Sequence, residues 1–93
     1  MLGAFGKVTL YPTAASAIDA NDLTQTGLYG VSSAAAAASS NIPNTLGCRF
    51  VVFNIWGTIM QFCASGSKSA EKKLHFRILW DTGQTWTDWV LLA

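Results

Sequence analysis

One histidine, two cysteines and five carboxylates bound the covalent chemistry open to this chain. A nucleophile–histidine–acid centre would have to be built around His75, with Cys63 and Asp88 as nominal partners, because an imidazole must carry the proton. A lone histidine in a strand reads instead as a structural or surface residue. Cys48, Cys63 and His75 fall short of the ligands of a structural zinc site, and the cysteine spacing matches no Cys-x-x-Cys pair. No glycine-rich phosphate loop is present. What remains is aromatic chemistry. Trp56 falls at an expected hairpin tip between Asn54 and Thr58. There a flat ring with one N–H donor can stack on a sugar while its neighbours bond hydroxyls. The alternative is that Trp56 packs on a neighbouring subunit or folds back onto its own sheet.

The tripeptide Asp81-Thr82-Gly83, after Leu79-Trp80, imitates the catalytic signature of dimeric aspartic proteases. That machinery needs a flap and a second glycine-bearing loop after the aspartate, and here ten residues follow Gly83. A hairpin turn accounts for the tripeptide, so no enzymatic activity, cofactor or metal is expected.

Ninety-three residues make one small domain, which buries only about 60–65% of its unfolded surface. Yet 51% of the chain is hydrophobic and 12% charged, against roughly 25% charged in ordinary soluble domains. The apolar excess implies that subunits bury surface together, the alternative being cover from the chain's own irregular segments. A net charge of +1 argues against a nucleic-acid partner. Lys68, Lys72 and Lys73, with Glu71 among them, read as a solvated loop. No apolar run reaches the length of a membrane-spanning helix, and Met1–Lys7 has no basic region followed by an apolar stretch, so neither membrane insertion nor a signal peptide is expected.

The elements that must position these residues are strands. Lys7–Tyr11 alternates and reads as a strand stopped by Pro12. Asp19 or Asn21 can cap one helical turn through Leu23. Gly27 turns the chain into a strand over Leu28–Val31. The alanine-rich stretch from Ser32 to Asn44 is too short in helical residues to hold an isolated helix and reads as a loop, with at most one turn. Two hairpins follow. The first joins Cys48–Asn54 to Thr58–Ala64 through Ile55-Trp56-Gly57, a three-residue loop with Gly57 at a left-handed position. That register pairs Asn54 with Thr58 and Val52 with Met60, collects Cys48, Phe50, Val52, Met60, Phe62 and Ala64 on one apolar face, and puts the cysteines on opposite faces, hence as free thiols. The second joins Leu74–Trp80 to Gln84–Leu92 through Asp81-Thr82-Gly83, with Gly83 left-handed; Leu74, Phe76, Ile78 and Trp80 form an apolar stripe, and His75, Arg77 and Leu79 face the other way. In a regular strand Trp86 and Trp89 lie on opposite faces and Asp88 points into the apolar stripe; a bulge between them would turn both rings inward and Asp88 outward. Both arrangements stay open.

Asp22-Leu23-Thr24-Gln25-Thr26-Gly27-Leu28-Tyr29, then Asn41-Ile42-Pro43, then apolar strands closed by Thr85-Trp86-Thr87-Asp88-Trp89, resembles the knob-like domains of phage tail fibres and R-type pyocin tail fibres. The resemblance runs from about Asp19 to Leu92. It implies a mainly β domain, a small antiparallel sheet of about five strands with one or two helical turns, assembled as a homotrimer. Residues 1–20 would be an arm or a connection to a longer fibre and residues 21–93 the knob-like domain. Gly27, Tyr29, Gly57, Gly83, Trp86 and Trp89 would be structural. The implied function is non-enzymatic attachment to a bacterial surface, with a glycan or protein receptor and other fibre domains as partners. Such a chain is made in the host cytoplasm and leaves with the virion. The rivals are a purely structural knob and a carbohydrate-binding appendage of a bacterial secreted protein.

Overall fold

The computed structural model describes residues 9–66, 72–80 and 85–93. Among them the fold is mainly β, one six-stranded sheet with a single 3-10 turn and a short helix. The strands are β1 (Thr9–Ala14), β2 (Gly27–Val31), β3 (Cys48–Ile55), β4 (Thr58–Ser65), β5 (Lys73–Leu79) and β6 (Val90–Leu91). They lie side by side in chain order. All neighbours are antiparallel except β1 and β2, which run parallel. The sheet is therefore mixed and one strand wider than expected.

The extra strand, β1, is the one expected over Lys7–Tyr11, which joins the sheet although it lies in the stretch expected to form an arm. β1 does not stop at Pro12 but passes through it. Proline cannot donate to a ladder, yet it is tolerated on an edge and at irregularities. Both conditions hold, because β1 is the sheet edge and its register slips between Leu10 and Thr13. The parallel pair is possible because the 3-10 turn Ala20–Asp22 carries the chain back between the strands. Asp19 caps this turn, its carboxylate accepting from Asn21 N–H at 2.9 Å and Asn41 Nδ2 at 2.8 Å. Helix α1 (Ser33–Ala36) is the one turn that the alanine run sustains, with Ser32 Oγ accepting from Ala35 N–H.

The first hairpin corrects the expected register by one residue. Ile55, not Asn54, stands opposite Thr58, and the loop is the two-residue pair Trp56-Gly57. Both residues are left-handed, at φ 53° and 86°. This is the pattern of a type I′ turn, whose twist matches that of the flanking strands. The expected positive φ at Gly57 is present; the positive φ at Trp56 was unforeseen. With the slip, Gln61 instead of Met60 stands opposite Val52. The buried face becomes Cys48, Phe50, Val52, Ile59, Gln61, Cys63 and Ser65.

A polar residue displaces the apolar pattern here because its amide is fully used. Gln61 Nε2 donates to the carbonyls of Ala20 (2.7 Å) and Leu23 (2.9 Å), and its Oε1 accepts from Arg77 Nε at 2.8 Å. The Leu23 carbonyl closes the 3-10 turn, where backbone acceptors lack intrahelical partners, while the Ala20 carbonyl also accepts from Leu23 N–H at 3.1 Å. The same slip places Cys48 and Cys63 on one buried face, contrary to the expected opposite faces. Both are free thiols. Their contact, reinforced by burial, pushes the Cys63 thiol well up.

The second face of the sheet is apolar as well. Leu28, Val51, Phe62, Phe76 and Val90 form one row straight across β2 to β6, and Phe53, Met60 and Ile78 form the next. Phe62 touches Phe53 edge-on and lies 5.1 Å from Phe76 between ring centres. Leu28 and Val51 are each 37% exposed and Val90 51%. The core therefore sits on one side of the sheet, under the 3-10 turn, α1 and the two C-terminal tryptophans.

Candidate functional site

Trp56 stands where the sequence puts it, at the tip of the β3–β4 hairpin, with 94% of its surface exposed. The expected set of Trp56, Asn54 and Thr58 is not brought together. Asn54 no longer faces Thr58 across the hairpin, and the two lie on opposite faces of the sheet. The Asn54 side chain builds the turn instead. Its Oδ1 accepts from Gly57 N–H at 3.1 Å, its Nδ2 donates to the Thr24 carbonyl at 2.9 Å, and its backbone N–H donates to Thr26 Oγ1 at 2.9 Å. Thr58 shares the open face with Ile55. The turn is thus clamped from the Thr24–Thr26 segment, and the indole projects from a fixed base.

Gly27 and Tyr29 hold the other edge. A Cβ on Gly27 would come within 2.6 Å of Tyr11 Cε2 and 2.8 Å of the Thr9 carbonyl oxygen, so only glycine lets β1 approach. Tyr29 stacks on Tyr11 with ring centres 4.3 Å apart and planes 6° from parallel. Its hydroxyl donates to the Gln25 carbonyl at 2.6 Å. Burial, with the adjoining Tyr11 hydroxyl, pushes its pKa up to about 12.

The C-terminal segment adopts the bulged alternative. Thr87 N–H donates to the Ile78 carbonyl, while Val90 stands opposite Phe76, so the segment carries one more residue than β5 over that interval. Asp88 is turned out to solvent, and Trp86 and Trp89 both pack against the core. The regular part of this last strand shrinks to Val90–Leu91. Gly83, with the rest of residues 81–84, lies outside the described residues, as does the basic loop at Lys68.

What brings both indoles inward is Arg77. Its guanidinium carbon lies 4.0 Å from the centre of the Trp86 ring and 4.5 Å from that of Trp89, within cation–π range. Trp89 is further fixed by its indole N–H, which donates to the Asn41 carbonyl at 2.9 Å, Asn41 being left-handed at φ 59°. Arg77 is 96% buried, since 4% of it is exposed. Burial lowers its pKa to about 10, opposed by the charge of Asp19, so it stays a cation at neutral pH. Beside it opens a cavity of about 360 Å³ lined by Asn21, Asn41, Arg77, Trp86, Asp88 and Trp89. In the sequence Arg77 is only a strand residue that faces away from the apolar stripe. The available signal was a basic residue in β5 in step with two C-terminal tryptophans, and it becomes visible only once the bulge is known.

No cluster of metal-ligating side chains occurs among the described residues, and no helix among them is long and apolar enough to cross a membrane. No protein-family model matches the sequence, and no curated protein does. Among solved structures, the fold matches part of the C-terminal region of the Pseudomonas aeruginosa R1 pyocin fibre. All of this chain superimposes on 24% of that one, with a TM-score of 0.76 at 17% sequence identity. The chain thus spans about a quarter of that fragment and shares the fold of a segment of a pyocin fibre.

Proposed function

We propose that this chain is a non-enzymatic module of a phage or phage-like tail fibre, a knob-like domain that assembles as a homotrimer and presents Trp56 to a bacterial surface receptor, a glycan in the first instance. It would be made in the host cytoplasm and carried on the particle. The observation that carries the reading is Trp56. A large apolar ring lies almost wholly in solvent, on a left-handed backbone position that asparagine or glycine would fill with less strain. Nothing in the packing of the described residues calls for it there, whereas a sugar ring stacked on the indole would. Thr58, two positions on at the start of β4 and on the open face with Ile55, would supply a hydroxyl partner. Asn54, committed to the turn, contributes position and not recognition.

Assembly is supported by the open apolar face of the sheet. A row of five apolar residues crosses the strands, with Leu28, Val51 and Val90 exposed and two phenylalanines in mutual contact, and contiguous exposed apolar surface of this kind marks an interaction face. The similarity to a pyocin fibre is the support for three copies. Three tips on one fibre would multiply a weak single contact through avidity. The test is attachment of a fibre carrying Trp56→Asn to host cells. Loss of attachment with the fold retained is the expected result. Full attachment would leave the domain a structural knob, with recognition carried elsewhere.

A further inference from the structure

We propose that the cavity beside Arg77 binds an acidic sugar unit, a pyranose bearing a carboxylate, with the carboxylate on the guanidinium and a ring hydroxyl on the Asn21 side-chain oxygen. This site is separate from Trp56 and does not rest on that contact.

Two orphaned polar atoms point to it. Arg77 Nη2 is buried without a hydrogen-bond partner, and so is Asn21 Oδ1. Both residues line the same cavity. Buried donors and acceptors are ordinarily paired, and each unpaired one calls for an explanation. A guanidinium that keeps its charge in a largely apolar setting calls for an anion above all. Its Nε edge is taken by Gln61, and no described carboxylate pairs with it. Asp19, the nearest acid by its electrostatic effect, already accepts from Asn21 N–H and Asn41 Nδ2.

The remaining features choose among anions. Trp86 and Trp89 give apolar walls, which suit the carbon faces of a sugar ring. Asn21 offers an acceptor to a hydroxyl, which a simple inorganic anion lacks. The carboxylates of Asp19 and Asp88 stand near the guanidinium and at the cavity wall. They oppose a dianion more than a monoanion, which favours a carboxylate over a phosphate. A cavity of about 360 Å³ sits at the small end of ligand sites and has room for one such unit.

Proton–nitrogen spectra of the four tryptophan indoles give the readout, with sodium galacturonate, galactose and inorganic phosphate as probes. Galacturonate should shift the Trp86 and Trp89 signals saturably, at least about tenfold more tightly than galactose, and phosphate should not saturate them. Replacing the exposed Asp88 by Asn removes a repelling charge without touching the fold and should tighten galacturonate about two- to fivefold. Arg77→Gln should abolish the shift; if that variant does not fold, the Asp88→Asn comparison decides alone. Trp56→Asn should leave galacturonate binding unchanged, so failure at the hairpin tip and failure here are told apart. Equal affinity for galactose, tighter binding of phosphate, shifts confined to Trp56, or no effect of Asp88→Asn would each overturn the proposal.

Discussion

Trp56 and Gly57 share one turn and pull stability in opposite directions. Left-handed backbone strains any residue with a Cβ, tryptophan more than asparagine. Trp56→Asn should therefore stabilise the fold by about 1 kcal/mol, and Gly57→Ala should cost about 1 kcal/mol or more. Urea denaturation midpoints check both, and the first should be accompanied by lost host binding. His75 sets a pH dependence. Burial, then the nearby Lys73 charge, holds its imidazole below the ordinary 6.5. A base whose folded pKa is depressed contributes stability above its unfolded value and loses it as pH falls through the folded one. Melting temperatures from about pH 8 to about pH 5 should fall more steeply for the wild type than for His75→Gln. The two thiols should react with a thiol reagent only on unfolding, giving two free groups per chain, because both are fully buried. At this scale Gly57 was legible in the sequence, since a hairpin tip next to a glycine leaves few other conformations. The role of Arg77 was not, because its partners come from two other stretches of chain, Gln61 from β4 and Trp86 and Trp89 from the C-terminal segment.

At the scale of elements, β3 and β4 were legible almost to the residue, because alternation and the Trp56-Gly57 tip bound them. Their register was not. Apolar segregation favours Met60 and Phe62 inside, and it was overridden by Gln61 pairing with carbonyls of the 3-10 turn roughly forty positions away in the chain. No local pattern encodes that pairing. It follows that Gln61 is worth more than its polarity suggests. Gln61→Leu should cost about 3 kcal/mol, since it strands the Leu23 carbonyl and the Arg77 Nε–H and leaves the Ala20 carbonyl only its bond from Leu23 N–H. Chemical denaturation measures it, and a cost near zero would mean that water replaces the amide. The bulge before β6 is a related case. It was one of two options from the tryptophan spacing, and the buried guanidinium, which attracts both rings to the same side, decides between them.

For the whole molecule, the mainly β class was legible from alternation alone, while the width of the sheet was not. The start of β1 is marked by the alternation of Lys7–Tyr11, but its passage through Pro12 is not, and its parallel partner is fixed by the path of the intervening 3-10 turn. The open face decides the state of assembly. A charge placed in the middle of its central row, Phe62→Lys, should leave the buried face intact and yield a folded monomer by light scattering, where the wild type should give the proposed trimer. A wild-type monomer at micromolar concentration would instead assign that face to another occupant.

The strand order has a mechanical consequence. Since the sheet runs from β1 to β6 in chain order, Thr9 and the last strand lie at opposite edges. A tension drawn between them acts across the strands, so the ladders open in turn like a zipper instead of shearing together. The C-terminal edge is held by two paired residues and a few flanking backbone bonds at Leu74. It would part first under load, while β3, β4 and β5, joined over seven or eight pairs each, stay closed. Such a domain yields stepwise from its rim under a pull and keeps its centre to re-form around.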